Sequence, residues 1–455
     1  MSYNMLYDTY RKYQNLFQIP LKFVPLNRRY GGKDFVETYK FLKESDKWTQ
    51  EQYLAYQKKE LKNLLEYVVK KIPFYQDIKL KSSDPFKNLE RFPKIKKEIV
   101  QQDIDKFLSV DKDKMKHFVV TTGGTSGNTL KIYLDNSTYG KEWAYKIVGW
   151  ERAGFRIGNR MISFRGVNFK NTKGKKFWQF NAIYNWLEMS PFDLNDTNNP
   201  YYIKKIKSFK PDIIHGYPSA LSQISKYILD HNIKIEGVKD AIGISENIYP
   251  EQRDIISRAF NCKFFSFYGA SEKVILAPEC EYDSRYHAFP QYGITEFIDE
   301  DGNPTEKGEL GELVGTGFMN RIMPFIRYRM GDFGRKTDNK CKCGRNHVII
   351  QDLMGRWEQD MVRGYNGTKI SVAALNLHSD VLKKVERYQY YQDKEGLLLV
   401  KIQPKETINQ LDRSKIIQSL KEKVRENLDI EIEQCEEIPL TGIGKFKRLV
   451  IKKNN

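Results

Sequence analysis

Between Met161 and Gly269 four short apolar runs, MISF (Met161–Phe164), DIIHGY (Asp212–Tyr217), AIGIS (Ala241–Ser245) and KFFSFYG (Lys263–Gly269), alternate with helical patterns. One of those patterns sets Leu221, Ile224 and Ile228 on a single face, and another runs from Pro250 to Phe260. A strand that reaches the next strand through a helix lies parallel to it, so the stretch predicts a largely parallel sheet covered by helices. The rest of the chain is arranged around that sheet. Residues 1–115 read as helical, with Asp46–Ile72 rich in Lys, Glu, Gln and Leu and stopping at Pro73. After Ile294 the pattern turns to hairpins, with Asp301-Gly302 as a turn signal and GELGELVGTG behind it. Beyond Gly355 a small α+β unit is expected. It holds a strand LLLVKI (Leu397–Ile402), a helix with Ile417, Leu420, Val424 and Leu428 on one face, and a strand IEIEQ near Glu431. No internal repeat or low-complexity linker separates the units, which predicts a short hinge between them.

At 455 residues the chain is too long for one compact core, and 40% hydrophobic content excludes global disorder. No apolar run approaches the ~18–20 residues of a membrane span, and no signal-peptide core opens the sequence. A cytoplasmic location is therefore expected. The net charge of +18 is spread along the chain rather than gathered in blocks. No nucleic-acid-binding module accompanies it, so the charge reads first as a lysine-rich solvated surface rather than as a DNA or RNA site. Five cysteines, an odd and sparse set, suit a reducing compartment.

The stretch TTGGTSGNTLKIY (Thr121–Tyr133) joins glycines, hydroxyls and a lysine. Glycine lets backbone N–H groups close on an anion, and hydroxyls and Lys131 add donors for phosphate oxygens. Its spacing is neither Gly-x4-Gly-Lys-Ser/Thr nor Gly-x-Gly-x-x-Gly, and such a loop alone is also an ordinary turn. Its order, Thr122, Gly124, Thr125, Ser126, Gly127 and Lys131, resembles the phosphate loop of the adenylate-forming superfamily. Four later stretches resemble that superfamily's other motifs. FYGASE (Phe267–Glu272) supplies Tyr268, Gly269, Ser271 and Glu272. FIRYRMGDFG (Phe325–Gly334) supplies Asp332, and MGRWEQDMV (Met354–Val362) supplies Arg356. PLTGIGKFKR (Pro439–Arg448) supplies Lys445 on its glycine loop. Each stretch has a plain structural reading as well, as a strand end, a Gly-Asp turn or a basic tail. Their occurrence in this order is what carries the resemblance.

Within the superfamily the chain looks most like the phenylacetate–CoA ligases, and especially the CapK-like branch of capsule and surface-polysaccharide gene clusters. KKIPFYQDI, NLERFPKIKKEIV, SENIYPEQRDIISRAF and RYRMGD followed by CKCGR carry that likeness. It implies an α/β fold with two parts. The larger would be an adenylate-forming domain of mixed and parallel sheets over 1–354, with a helical segment to 115, the nucleotide and acyl site from 116, and a hairpin-rich subdomain. The smaller would be a mobile α+β lid over 355–455. The implied activity is ATP-dependent adenylation of a carboxylate, releasing pyrophosphate, followed by transfer to coenzyme A, a carrier protein supplied in trans, or an amine. Thr125, Ser126 and Gly127 would hold phosphates, Glu272 would hold Mg²⁺, Asp332 and Arg356 would hold the ribose, and Lys445 would reach the reacting phosphorus. Two departures leave an alternative open, a non-catalytic or AMP-transferring member of a polysaccharide pathway. Glu358-Gln359-Asp360 stands where a paired acidic dipeptide is usual, so either Glu358 or Asp360 is the pivot, and Asn128-Thr129 interrupts the phosphate loop. A homodimer is one option for the oligomeric state.

Cys280, His287, Cys341 and Cys343 have the soft-ligand character that zinc selects. Their spacing is not that of a standard finger, and free thiols are the alternative. The phenylacetate–CoA ligases carry a similar Cys…His…Cys-x-Cys-Gly-Arg set, which implies structural zinc. Cys262 and Cys435 read as ordinary buried thiols. His215, in HGYPSAL, reads as an acyl-pocket residue or, more simply, as a satisfied strand-end group.

Overall fold

The computed structural model describes residues 24–121, 130–165, 177–337, 340–355, 361–365, 369–371, 375, 377, 381, 384–424, 428–440 and 446–452. After a single helical turn at Leu26–Arg29 come two longer helices, α1 (Lys33–Ser45) and α2 (Gln50–Lys71). Thr49 opens α2 with reciprocal caps: its hydroxyl accepts from the Gln52 amide at 3.3 Å, and the Gln52 side chain accepts from Thr49 N–H at 2.9 Å. Such a cap is worth ~1 kcal/mol. Tyr53, Leu61, Leu64, Leu65 and Val68 form its buried stripe, and Pro73 ends it. From residue 72 to 116 only short helical turns occur, broken by Pro73, Pro85 and Pro93. The helical expectation for 1–115 therefore holds over 33–71 and fails beyond, where prolines remove donors and fix φ.

An antiparallel ribbon of β1 (His117–Thr121) and β2 (Lys131–Asp135) precedes α3 (Ser137–Arg152). The chain then builds its largest sheet through β3 (Met161–Phe164), β4 (Trp178–Asn181), β5 (Trp186–Met189), α4 (Asn199–Phe209), β6 (Ile213–Gly216), α5 (Pro218–Asp230), β7 (Asp240–Ile244), α6 (Pro250–Phe260), β8 (Lys263–Gly269) and β9 (Leu276–Pro278). The order is β4-β5-β3-β6-β7-β8-β9. β5, β3, β6, β7 and β8 run parallel, and β4 and β9 are antiparallel edges. Neighbouring residues of these strands feed opposite cores. Ile162, Ile214, Ala241 and Phe264 pack under α4, α5 and α6, while Met161, Ile213, Ile242 and Phe265 pack under α1 and α3. Burial on both faces explains why the strands read as continuous apolar runs rather than as alternations.

β10 (Tyr286–Ala288), β11 (Gly293–Ile298), β12 (Leu310–Gly317), β13 (Tyr328–Thr337) and β14 (Val348–Met354) form an antiparallel sheet in the order β10-β14-β13-β12-β11. Its core is shared with α2. After a ribbon of β15 (Met361–Arg363) and β16 (Lys369–Ser371) comes a terminal lobe of β17 (Val385–Gln392), β18 (Leu397–Pro404), α7 (Gln410–Val424), β19 (Asp429–Gln434) and β20 (Leu449–Ile451). Its sheet order is β19-β18-β17-β20, and it has a hydrophobic cluster of its own. In α7 the buried face is Ile416, Leu420 and Val424. Ile417 is only partly buried, and Leu428 lies beyond the helix, so the expected face was one residue out of phase at its start. No described helix is long and apolar enough to cross a membrane.

Candidate active site and metal centre

β8 delivers Tyr268 and Gly269 to the carboxyl end of the parallel strands, where open α/β sheets bind ligands. A Cβ at 269 would sit 2.5 Å from Leu276 Cδ1, so a larger residue there would have to displace that side chain. The Tyr268 hydroxyl donates to Asp332 Oδ2 at 2.8 Å. Asp332 is not in a tight turn. It lies within β13, after Gly331 at φ +68°, where pairing with both β12 and β14 shifts register. The Gly331 N–H donates to Glu312 Oε1 at 3.2 Å, which fixes the irregularity. Gly355, at the end of β14, meets the same place. Its N–H donates to Asn247 Oδ1 at 2.9 Å, and its carbonyl accepts from Asn247 Nδ2 at 3.3 Å. A Cβ on Gly355 would stand 3.6 Å from Asp332 Oδ1. Three stretches far apart in sequence thus converge on one carboxylate.

Glu272 and the half-buried Ser271 occupy the turn after β8, and no helix follows them. The Tyr328 hydroxyl donates to Glu272 Oε1 at 3.1 Å. Lys131 begins β2, exposed and in register with Thr121, so it stands at the foot of the glycine loop. Thr122, Gly124, Thr125, Ser126, Gly127, Arg356, Glu358, Asp360 and Lys445 lie outside the described residues, as do Asn128 and Thr129.

The arginines of RYR are structural. Arg327 forks onto Glu296 at 2.7 and 3.1 Å, and Arg329 pairs with Glu312. His215 is a core residue: its Nδ1 is 2.9 Å from Ser163 Oγ and its ring meets Trp150 edge-on. Burial, with Arg165 and Lys146 nearby, holds it neutral, its pKa well below the usual value. Its Nε2 meets no polar partner among the described residues.

Cys280, His287, Cys341 and Cys343 are all buried, with ligand atoms within 4.8 Å of one another. Cys280 follows β9, His287 is on β10, and both other cysteines lie in the β13–β14 connection. Cys280 Sγ and Cys341 Sγ are 3.2 Å apart, and Cys343 Sγ is 4.0 Å from His287 Nδ1. A tetrahedral zinc with Zn–S of ~2.3 Å needs sulfurs roughly 3.7 Å apart, so the four groups fit one ion. Burial pushes the Cys280 thiol up. Burial, then Arg152 and Arg345, lowers His287 to about 4, leaving a neutral imidazole able to ligate. Arg345 is pinned by Asp46 at 2.8 Å and Glu281 at 2.8 Å, which ties the metal loop to α1 and β9. Cys262 and Cys435 are only half-buried, against expectation. Cys262 follows α6 at its surface end, and Cys435 leaves β19 beside Glu433.

Protein CapK of Staphylococcus aureus is 27% identical over 463 residues, covering 96% of each chain. The profile of the CapK C-terminal domain matches residues 362–454. The chain is a CapK-like adenylate-forming protein. A phenylacetate-coenzyme A ligase of Thermus thermophilus is 26% identical over 366 residues, 76% of the CapK-like chain and 80% of the relative. In fold, the CapK-like chain is similar to a 2-hydroxyisobutyryl-CoA ligase solved in the postadenylation state with R3-HIB-AMP. The TM-score is 0.66, with 16% identity, 87% of this chain and 88% of the other. The same ligase in its thioesterification state aligns at 0.55, with 17% identity, 90% of this chain and 91% of the other.

The terminal lobe of the CapK-like chain docks on α5. Gln223 Nε2 donates to Glu386 Oε1 at 3.0 Å, and Gln223 Oε1 accepts from Arg387 Nη2 at 2.7 Å. Lys405 pairs with Asp230 at 3.3 Å. A cavity of about 70 Å³ lies between them, lined by Ser219, Lys226, Tyr388 and Arg448 among others. Burial, then Arg448 and Lys405, lowers Lys226 to about 8. No local sequence pattern encodes these lobe contacts. Glu246 and Asn247 lie in a stretch that signalled family likeness only.

Proposed function

We propose that the chain is an ATP-dependent adenylate-forming ligase that converts a small-molecule carboxylate to an acyl-adenylate with release of pyrophosphate, then passes the acyl group to coenzyme A. The observation that carries the reading is the convergence of Tyr268, Asp332 and Gly355, because it joins three of the five motifs at the edge of the parallel sheet. The likeness to acyl-CoA ligases in sequence and fold agrees with it.

In this reading Asp332 accepts bonds from the ribose hydroxyls. Tyr268 holds that carboxylate in place and offers its ring to the adenine. Phosphoryl transfer needs positioning and charge neutralisation more than covalent help. Thr122, Gly124, Thr125, Ser126, Gly127 and Lys131 hold the polyphosphate, Arg356 the ribose or α-phosphate, and Lys445 the charge that grows on the reacting phosphorus. Glu272 is the residue that would hold Mg²⁺. One carboxylate suits an ion that keeps several waters and takes its other ligands from phosphates. Bound there, the ion would neutralise phosphate charge. Cys280, His287, Cys341 and Cys343 would hold zinc as a purely structural brace. With the reading go a cytoplasmic location, a terminal lobe that moves about a hinge near residue 355, and a place in surface-polysaccharide or secondary metabolism.

The test is pyrophosphate release from ATP and magnesium across aryl, fatty, amino and sugar acids, with wild type and Lys445→Ala. A positive acid with a loss of ~10²–10³-fold in the variant supports the reading. Equal release by both proteins overturns it, and AMP appearing on a hydroxyl compound would replace coenzyme A as the acceptor.

A further inference from the structure

The loop between β7 and α6 grips the terminal lobe at several points. It begins at Ser245, which sits at φ +64°, a conformation that turns the chain sharply out of the sheet. Glu246 is next. Its Oε2 accepts from the Ser219 N–H at 3.0 Å and its Oε1 accepts from the Ser219 hydroxyl at 3.0 Å. Ser219 is in the first turn of α5, a helix of 13 residues whose leading amides lack helical partners. A carboxylate bonded to such an amide is held by charge and by geometry together. The same Oε1 also accepts from the Phe446 N–H at 2.9 Å, 200 residues away. Two residues on, Arg448 lies 4.9 Å over the Tyr249 ring and 3.6 Å from Glu251. Asn247, between them, holds Gly355 at the end of β14.

We propose that Glu246 is a positioning residue that fastens the terminal lysine loop to the large lobe, with α5 as its fixed anchor. The link to the lysine is covalent. The nitrogen of Phe446 is bonded to the carbonyl carbon of Lys445, so holding that N–H holds the peptide unit joining the two. Consecutive Cα atoms are only about 3.8 Å apart, so a tether on Phe446 acts one residue from Lys445. The inference rests on the ligase reading for why that lysine matters. The better superposition on the postadenylation arrangement, 0.66 against 0.55, agrees with a fastening that belongs to the first half-reaction.

Hydrogen exchange at the Phe446 amide tests the fastening without any acid substrate. In Glu246→Ala the amide should exchange ~10-fold faster or more, while β8 and β18 keep their protection. Glu246→Gln should restore most of it, since the amide oxygen still accepts, and Ser219→Ala should give a smaller rise. Unchanged exchange in Glu246→Ala overturns the proposal. So does a rise matched throughout β8 and β18, which would mean unfolding of the variant rather than release of a loop. A second measurement is the rate at which trinitrobenzenesulfonate labels Lys445, with and without ATP and magnesium. ATP should protect the wild type and should protect Glu246→Ala several-fold less. Absent protection in the wild type, with Phe446 exchange still governed by Glu246, would sink the ligase reading and the positioning role with it. In that case only a lobe contact would remain.

Discussion

The candidate metal centre and the candidate nucleotide site share one antiparallel sheet and are built on opposite plans. At the first, four ligand groups are buried, within 4.8 Å of one another, and braced by Arg345 between two carboxylates. At the second, Tyr268 and Asp332 are half-exposed and point at each other from two different sheets. A structural site is finished when the chain folds. A site that must admit and release a nucleotide keeps its groups at strand ends and irregularities, where they can meet solvent.

The difference can be probed by attacking each side in turn. The largest effect should come from the cluster. Protein purified without chelators should carry one zinc per chain, and Cys341→Ser should lose it with a fall in melting temperature of roughly 10 °C. ATP affinity below the transition should change little, and a large change would mean that the two sites are one unit. The pH response has a definite sign. His287 is lowered in the folded chain to about 4 from 6.5. Its contribution to the stability of zinc-free protein is therefore complete above pH 6.5. It fades as the unfolded chain takes up the proton, and is gone once pH falls through about 4. Next in size, Asp332→Asn should weaken ATP binding ~10–100-fold in calorimetry and leave zinc content untouched. Tyr268→Phe removes a single bond to that carboxylate and should cost no more than about tenfold. The smallest effect should lie outside both regions. Burial raises Asp240, at the start of β7, to about 6, so at pH 7 it is charged at some expense to the fold. Asp240→Asn should raise folding stability slightly, by less than ~1 kcal/mol given partial solvent screening, and the gain should vanish near pH 4.

Legibility followed the same division. Strands such as MISF and AIGIS were readable because helices cover both their faces. The Cys280, His287, Cys341 and Cys343 cluster is readable as a group because soft ligands are rare in this sequence. Between 72 and 115 the helical reading holds only for short pieces such as Pro85–Leu89 and Lys97–Gln102, because Pro73, Pro85 and Pro93 let a helix begin at them but not run through them. The face of α7 was started at Ile417 instead of Ile416 because two adjacent isoleucines make the phase ambiguous. Asn247 and Glu246 were out of reach for a deeper reason. Their partners lie 108 and 200 residues away, and no local pattern encodes a bond across that separation.

The helix α5 shows what the lobe boundary is made of. Leu221, Ile224 and Ile228 anchor one side of it beneath the sheet, while Ser219, Gln223, Lys226 and Asp230 line the other and meet the terminal lobe. Those four side chains are polar, so parting them exchanges each lost bond for a hydrated one, while Tyr249 beside them packs against the terminal lobe's own hydrophobic cluster. A seam of this mixed composition costs less to part than a wholly apolar one. A seam of leucines would, once sealed, have stayed shut.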